Sequence, residues 1–271
     1  IQDEMDELIF ANHQLGNNIL GNTNSVKSFK KSDFVNFIEE NIDAQKIIFA
    51  CVGNVSFKKV KKTAEKYFGD ITYKSNNIMR TAASRYVPEF RLQNKDITQA
   101  HCAIGKRAFN VHSKDRIPFF VLNNILGGQA MNSRLNLSLR EKHGLVYGID
   151  SNYHSYTDTG MFGIFYGTEP DSLEKSIDLI FKEIKKLQTV RMGKSQLQTA
   201  KNQIKGQMAM SEENYNSIML MMAKSILDLD GIHSLDFIFN VIDEISANQL
   251  QELAVETLKL DEMSILKYFT N

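Results

Sequence analysis

Residues 126–168, LGGQAMNSRLNLSLREKHGLVYGIDSNYHSYTDTGMFGIFYGT, change period halfway, and that change decides the fold class. Gly127-Gly128 stops a preceding helix, and Asn132 or Ser133 then caps a short helix running through Lys142. The cations Arg140, Lys142 and His143 gather at its C-terminal end, where the helix dipole favours them, and Gly144 supplies the left-handed cap. From there the pattern is that of strands: 145–156 and 160–168 form a pair about the turn Thr157-Asp158-Thr159-Gly160. A helix handed directly to a strand pair makes this a chain that mixes helices and strands. Tyr147 falls on the first strand, seven residues past Arg140.

Working outward, "DRIPFFVLNNILGG" is a helix with Pro118 in its first turn, preceded by a strand pair near 89–94 and 98–106. Pro170 opens an amphipathic helix with Leu173, Ile177, Ile180, Phe181, Ile184 and Leu187 on one stripe. Helices follow near 194–210, 213–228 and 234–241, and the methionines at 208, 210, 219, 221 and 222 read as core filler. Towards the N-terminus, residues 4–10 are helical, and Ser32-Asp33 starts a helix with Phe34, Phe37, Ile38 and Ile42 on one face. "KIIFACVGN" reads as a buried strand, and Ser56 caps a helix with Val60, Ala64 and Tyr67 inward. Residues 72–88 are polar and aperiodic and read as a linker.

Composition excludes several classes. The chain has 271 residues, 42% of them apolar, with acidic and basic residues balanced at 32 each. Balanced charge leaves no electrostatic footprint for nucleic acid. The longest apolar runs are too short to span a bilayer. Cys51 and Cys102 make no metal-binding spacing, and each reads as a small buried hydrophobe. The first residue is Ile1, which marks a processed product or a piece of a longer chain, so the compartment stays open between cytoplasm and periplasm.

The tail repeats the head. "SDFVNFIEENIDAQKIIFACV" lies over "NQLQELAVETLKLDEMSILKYF" at an offset of 216 residues, placing Phe34 on Leu250, Phe37 on Leu253, Ile42 on Leu258 and Ile47 on Met263. Both read as a helix leading into a strand. They are the closing elements of two copies of one fold, the second running from about residue 88 to the end. The first copy is then expected to begin about 130 residues before Ile1.

The chain lacks a self-sufficient catalytic set. The histidines at 13, 101, 112, 143, 154 and 233 include no i,i+4 pair, so neither HExxH nor HxxEH occurs. There is no phosphate-binding glycine loop and no GxSxG elbow. Taken alone, Arg140 is a helix-end cation and Tyr147 a strand aromatic with a wet hydroxyl.

The 126–168 block closely resembles the C-terminal half of the M16 zinc peptidases, the pitrilysin, insulinase and mitochondrial processing peptidase group. The resemblance rests on Gly127-Gly128, Ser133-Arg134-Leu135, Leu139-Arg140-Glu141-Lys142, Gly144-Leu145, Tyr147, Asp158, Gly160 and Gly167-Thr168. "NHQLGNNILGN" and "VGNV" are similar to segments of the metal-bearing half. The resemblance implies the α+β class and an LuxS/MPP-like α/β sandwich, with helices packed on one side of an antiparallel-rich sheet. It implies one complete half at 89–271, a linker at 74–88, and at 1–73 the end of a preceding, zinc-bearing half. It further implies that the catalytic Zn2+ and its HxxEH ligands lie outside this chain, which alone is expected to be inactive. Arg140 would bind substrate carbonyls and Tyr147 would donate a hydrogen bond to the oxyanion. The expected partners are extended or unfolded peptides and a zinc-bearing half or subunit. The alternative the resemblance leaves open is a non-catalytic partner subunit or a peptide-binding, structural protein. His13 aligns with a loop position and is not expected to bind metal.

Overall fold

The computed structural model describes residues 1–43, 47–71 and 81–269. The chain divides into two compact units. One comprises Ile1–Asn18, Ala82–Lys205 and Ile238–Asn271, the other Ile19–Thr81 and Gly206–Phe237.

The first unit is built on a five-stranded sheet, β1 (Phe90–Asn94), β2 (Ala100–Ala108), β3 (Val146–Ser155), β4 (Gly160–Thr168) and β5 (Ser264–Phe269), in the order β1-β5-β2-β4-β3. The pairs β3–β4, β4–β2 and β2–β5 are antiparallel, and β1 joins β5 in parallel. The strand pair expected at 89–94 and 98–106 does not form. The two strands exist, but β5 stands between them, with Phe90 opposite Ile265 and Cys102 opposite Lys267. Burial explains the choice. β2 is covered along most of its length and needs neighbours on both edges, whereas β1 leaves Phe90 and Leu92 exposed and suits the sheet margin.

Side chains alternate across the sheet. Phe162, on one face, meets Phe119 of α5 (Arg116–Gly127) edge-on at 5.8 Å between ring centroids. On the same side α6 (Leu173–Thr189) approaches β4, where Ser176 Oγ donates to the Tyr166 hydroxyl at 3.0 Å. α10 (Ala247–Thr257) packs on α5 and α6. The opposite face carries Ala103, Met161, Leu266 and Tyr268, covered by Met5, Leu8 and Ile9 of α1 (Gln2–Ile9) and by Phe10 beyond its end. Tyr86, within the stretch read as a linker, is tied to the sheet: its hydroxyl lies 2.8 Å from Ser264 Oγ and accepts from the Ser264 N–H at 3.0 Å. Residues 72–80 of that stretch lie outside the described residues.

The second unit contains α2 (Thr23–Ser28), α3 (Lys31–Asn41), α4 (Phe57–Phe68) and α8 (Tyr215–Leu229), together with parts of α7 (Lys194–Ser211) and α9 (Leu235–Glu244). Here several expectations fail. Described residues 47–52 form no strand, and this unit has no described strand to pair with them; an isolated strand has no stability of its own. Cys51 is exposed rather than buried, while Cys102 is fully buried as expected. Tyr67 of α4, expected inward, is exposed. The one-sided apolar stripe of α3 faces solvent as well, with Phe34 61% and Phe37 65% exposed. Their counterparts in the second copy, Leu250 and Leu253, are buried. None of the five methionines fills a core, and Met210 and Met221 are exposed.

Candidate functional site

Arg140 and Tyr147 converge. The helix ahead of them is α-helical for only two residues and then widens into a π-helix, Asn136–Lys142, an arrangement concentrated at functional sites. Its end is closed by three hydrogen bonds. The Gly144 N–H donates to the Arg140 carbonyl at 3.0 Å, the Leu145 N–H to Leu139 at 2.9 Å, and the His143 ring Nδ1 lies 2.7 Å from the Ser138 carbonyl. Gly144 holds φ at +61°, the left-handed position expected of it. Leu135 and Leu139 are fully buried, so the backbone bearing Arg140 is anchored from within.

Tyr147 stands in a β-bulge. Val146 pairs with Thr168 and Ile149 with Tyr166, which leaves Tyr147 and Gly148 facing one intervening partner. A bulge twists its strand and re-aims a side chain, and the Tyr147 side chain is 91% exposed. Both shoulders of the bulge are held. The buried Thr168 hydroxyl donates to the Leu145 carbonyl at 2.6 Å. The buried Asn136 amide donates to Ile149 O at 3.2 Å and to Ser133 Oγ at 2.9 Å. Asn136 therefore ties the π-helix to the strand just past the bulge. Sequence reasoning missed it, although an asparagine between the buried Leu135 and Leu139 on a helix carries a signal: a buried amide must find partners.

The Arg140 guanidinium lies over the Tyr147 ring, with Cζ 5.7 Å from the centroid, a cation–π distance. Its ion pair with Glu141 is loose, 3.6 Å, and exposed on both sides, so it holds the guanidinium only weakly. Glu141 and Lys142 face solvent. The site thus offers a planar fork of donors and a phenol O–H side by side at the start of β3, the last strand of the sheet.

Nothing comparable surrounds His13. Its Nδ1 accepts from the Leu15 N–H at 3.2 Å and caps a short turn. Among the described residues no three His, Cys, Asp or Glu side chains converge in a way that would hold a metal. The donor set of a zinc centre is therefore not assembled by these residues. Among the same residues no helix is long and apolar enough to cross a membrane.

A mixed sheet flanked by helices, with an arginine and a tyrosine meeting at a π-helix and a bulge, defines the class: residues 28–204 match the family model described as the peptidase M16 inactive domain, and the chain belongs to that family. Among its relatives is a protein of Bacillus subtilis (strain 168) named uncharacterized zinc protease YmxG, 30% identical over 258 residues, covering 94% of this chain and 61% of that protein. The beta subunit of the mitochondrial-processing peptidase of Pongo abelii is 26% identical over 263 residues, covering 94% of this chain and 54% of the subunit. The chain thus spans a little over half the length of these relatives. A crystal structure of a peptidase M16 inactive domain from Pseudomonas fluorescens superposes with a TM-score of 0.89 over the whole chain and 65% of its own, at 18% identity. That likeness shows the fold.

Proposed function

We propose that this chain is the C-terminal portion of an M16-type zinc endopeptidase, in which Arg140 and Tyr147 serve the peptide bond being cut. Residues 1–73 then belong to the end of a metal-bearing half, 74–88 to a linker, and 89–271 to the half carrying the pair. The observation that carries the reading is the joint placement of a half-exposed guanidinium and an exposed phenol on two separately clamped backbones. Such rigidity is what transition-state stabilisation requires, because donors fixed in advance need no reorganisation when charge develops.

The zinc ion would be held by residues outside this chain, and when bound it would supply Lewis acidity. The contribution of this chain is different. As water adds to the scissile carbonyl, its oxygen gains negative charge, and the Tyr147 O–H donates to it. The Arg140 fork donates to neighbouring substrate carbonyls and fixes the register of the bound peptide. β3 ends the sheet, and an extended peptide can add along such an edge.

A second reading is favoured by the family description itself, which names an inactive domain. In that reading the chain is a non-catalytic partner subunit that presents peptides or builds an assembly. One experiment separates the two. The complete protein is purified, its zinc content measured, and peptide hydrolysis assayed with and without Tyr147→Phe. Zinc-dependent turnover that collapses in the variant supports the peptidase reading. A folded, zinc-free protein without turnover supports the partner subunit.

A further inference from the structure

Beside the segment leading into the π-helix lies a cavity of about 600 Å³, within the range of small-molecule sites. Asn132, Arg134, Glu183, Lys186, Arg191 and Gln196 contribute to its wall. An adjoining cavity of about 260 Å³ shares Arg134, Glu183 and Lys186 and adds Lys142 and Lys182. The only acid in either wall, Glu183, is buried and already engaged, since Lys186 Nζ donates to its Oε1 at 2.5 Å. That pair is close to neutral. Arg134 and Arg191 remain as uncompensated positive charge in the larger cavity, and Lys142 and Lys182 add to it next door.

Arg134 is the unusual member. Its guanidinium is partly withdrawn from water, which lowers its pKa, with the charge of Glu183 acting in the opposite sense. Among the described residues it makes no hydrogen bond and no ion pair. A guanidinium has five N–H donors, and those of the half-buried Arg134 stand in the wall of both cavities, where an acceptor carried by a ligand can meet them. Donors around it are also left over. Arg191 commits Nη1 to Asn248 at 3.0 Å, and Gln196 commits only its Oε1, which accepts from the Gly193 N–H at 3.2 Å. Gln196 lies in the first turn of α7, whose N-terminal end adds a partial positive charge.

We propose that this cavity binds a small dianion, a molecule bearing a phosphate or paired carboxylates, with Arg134 making a bidentate contact and Arg191 a second contact at the rim. The site is separate from the Arg140–Tyr147 pair and does not depend on the peptidase reading. The test is calorimetric titration of the 271-residue chain with inorganic phosphate and, separately, with succinate, at constant ionic strength set by chloride. Saturable binding of either probe is expected, with Kd at or below about 1 mM, and whichever binds identifies the head group. Arg134→Met should weaken it by about tenfold or more, as loss of a charged bidentate contact does. Because Arg134 is partly buried, the exposed Arg191→Gln is the companion variant, expected to weaken binding several-fold with an unchanged melting curve. No saturable heat with either anion, or parental affinity retained by both variants, overturns the proposal.

Discussion

The Arg140 guanidinium covers the Tyr147 ring at 5.7 Å, and among the described residues neither side chain is bound to anything stronger than this contact and a loose ion pair with Glu141. Two such groups contribute little to stability; an exposed substitution usually moves it by about 0.5 kcal/mol or less. Tyr147→Phe keeps the ring under the guanidinium and removes only the O–H. In the complete protein, steady-state kinetics should show kcat falling by about two to three orders of magnitude, the loss typical of one oxyanion donor, with KM changed little. Arg140→Lys should instead raise KM, because an ammonium lacks the planar fork. Equal activity in Tyr147→Phe and the parent would remove Tyr147 from the reaction.

The clamp on the bulge predicts an effect on stability. Thr168→Val keeps the shape of the buried side chain but leaves the Leu145 carbonyl without its hydroxyl donor. Denaturant unfolding should show a loss of about 1–2 kcal/mol, that of a hydrogen bond with a buried partner left behind. Asn136→Leu removes two donor contacts at once and frees the Ile149 carbonyl, so its loss should be at least as large. Both variants should also lower kcat, since Tyr147 would no longer be aimed by a fixed backbone.

Gly144 makes a cleaner backbone test. A Cβ there meets open space, so only its φ of +61° resists substitution. Gly144→Ala should cost about 1–2 kcal/mol through left-handed strain. Gly144→Asn should cost less, because asparagine enters that region more readily. If the two unfold alike, the cap is not what sets the helix end.

Some of this was legible in the chain and some was not, for identifiable reasons. Gly144, the helix before it and the hairpin after it are local, and their signals lie within a few residues of one another. The resemblance pairs Arg140 with Tyr147, and the structure supplies why they meet: a π-turn and a bulge, which leave no mark in periodicity. The partner of β2 was misread because pairing is set by β5, more than 150 residues downstream in the chain. The stripe of α3 has the one-sided apolar spacing that the sequence predicts, and it faces solvent. Period shows which side of a helix is apolar, and nothing about what covers it.

That stripe carries its own prediction. Phe34 and Phe37 are exposed, and an apolar face of this kind drives self-association unless something covers it. For the chain by itself, Phe34→Lys with Phe37→Lys should reduce dye binding to apolar surface and reduce concentration-dependent association in sedimentation. The unfolding transition should hardly move, because neither side chain is lost from a core. A marked drop in stability would mean that the face is packed in solution.

The final prediction concerns pH and the face of the sheet covered by α1. The Asp6 carboxyl is pushed up from its ordinary 3.8 to about 6, first by burial and then by the charge of Asp3. Burial also raises the neighbouring Tyr156 hydroxyl, and the charge of Asp6 adds to that rise. A carboxyl whose pKa is raised on folding favours the folded state most when protonated. Its contribution is fully present below the unfolded value and is lost as pH rises through about 6. At neutral pH the charged Asp6 therefore works against α1 docking. Asp6→Asn should stabilise the chain near pH 7.5 by about 1–2 kcal/mol, a figure reduced for partial solvent screening. The difference between variant and parent should close only as pH is lowered below the ordinary value of 3.8, towards about 3, where the parent carboxyl is itself neutral in both states. Denaturant unfolding of the two proteins at both pH values checks this. A difference that stays constant, or one that grows on acidification, would show that Asp6 is not held protonated by the fold.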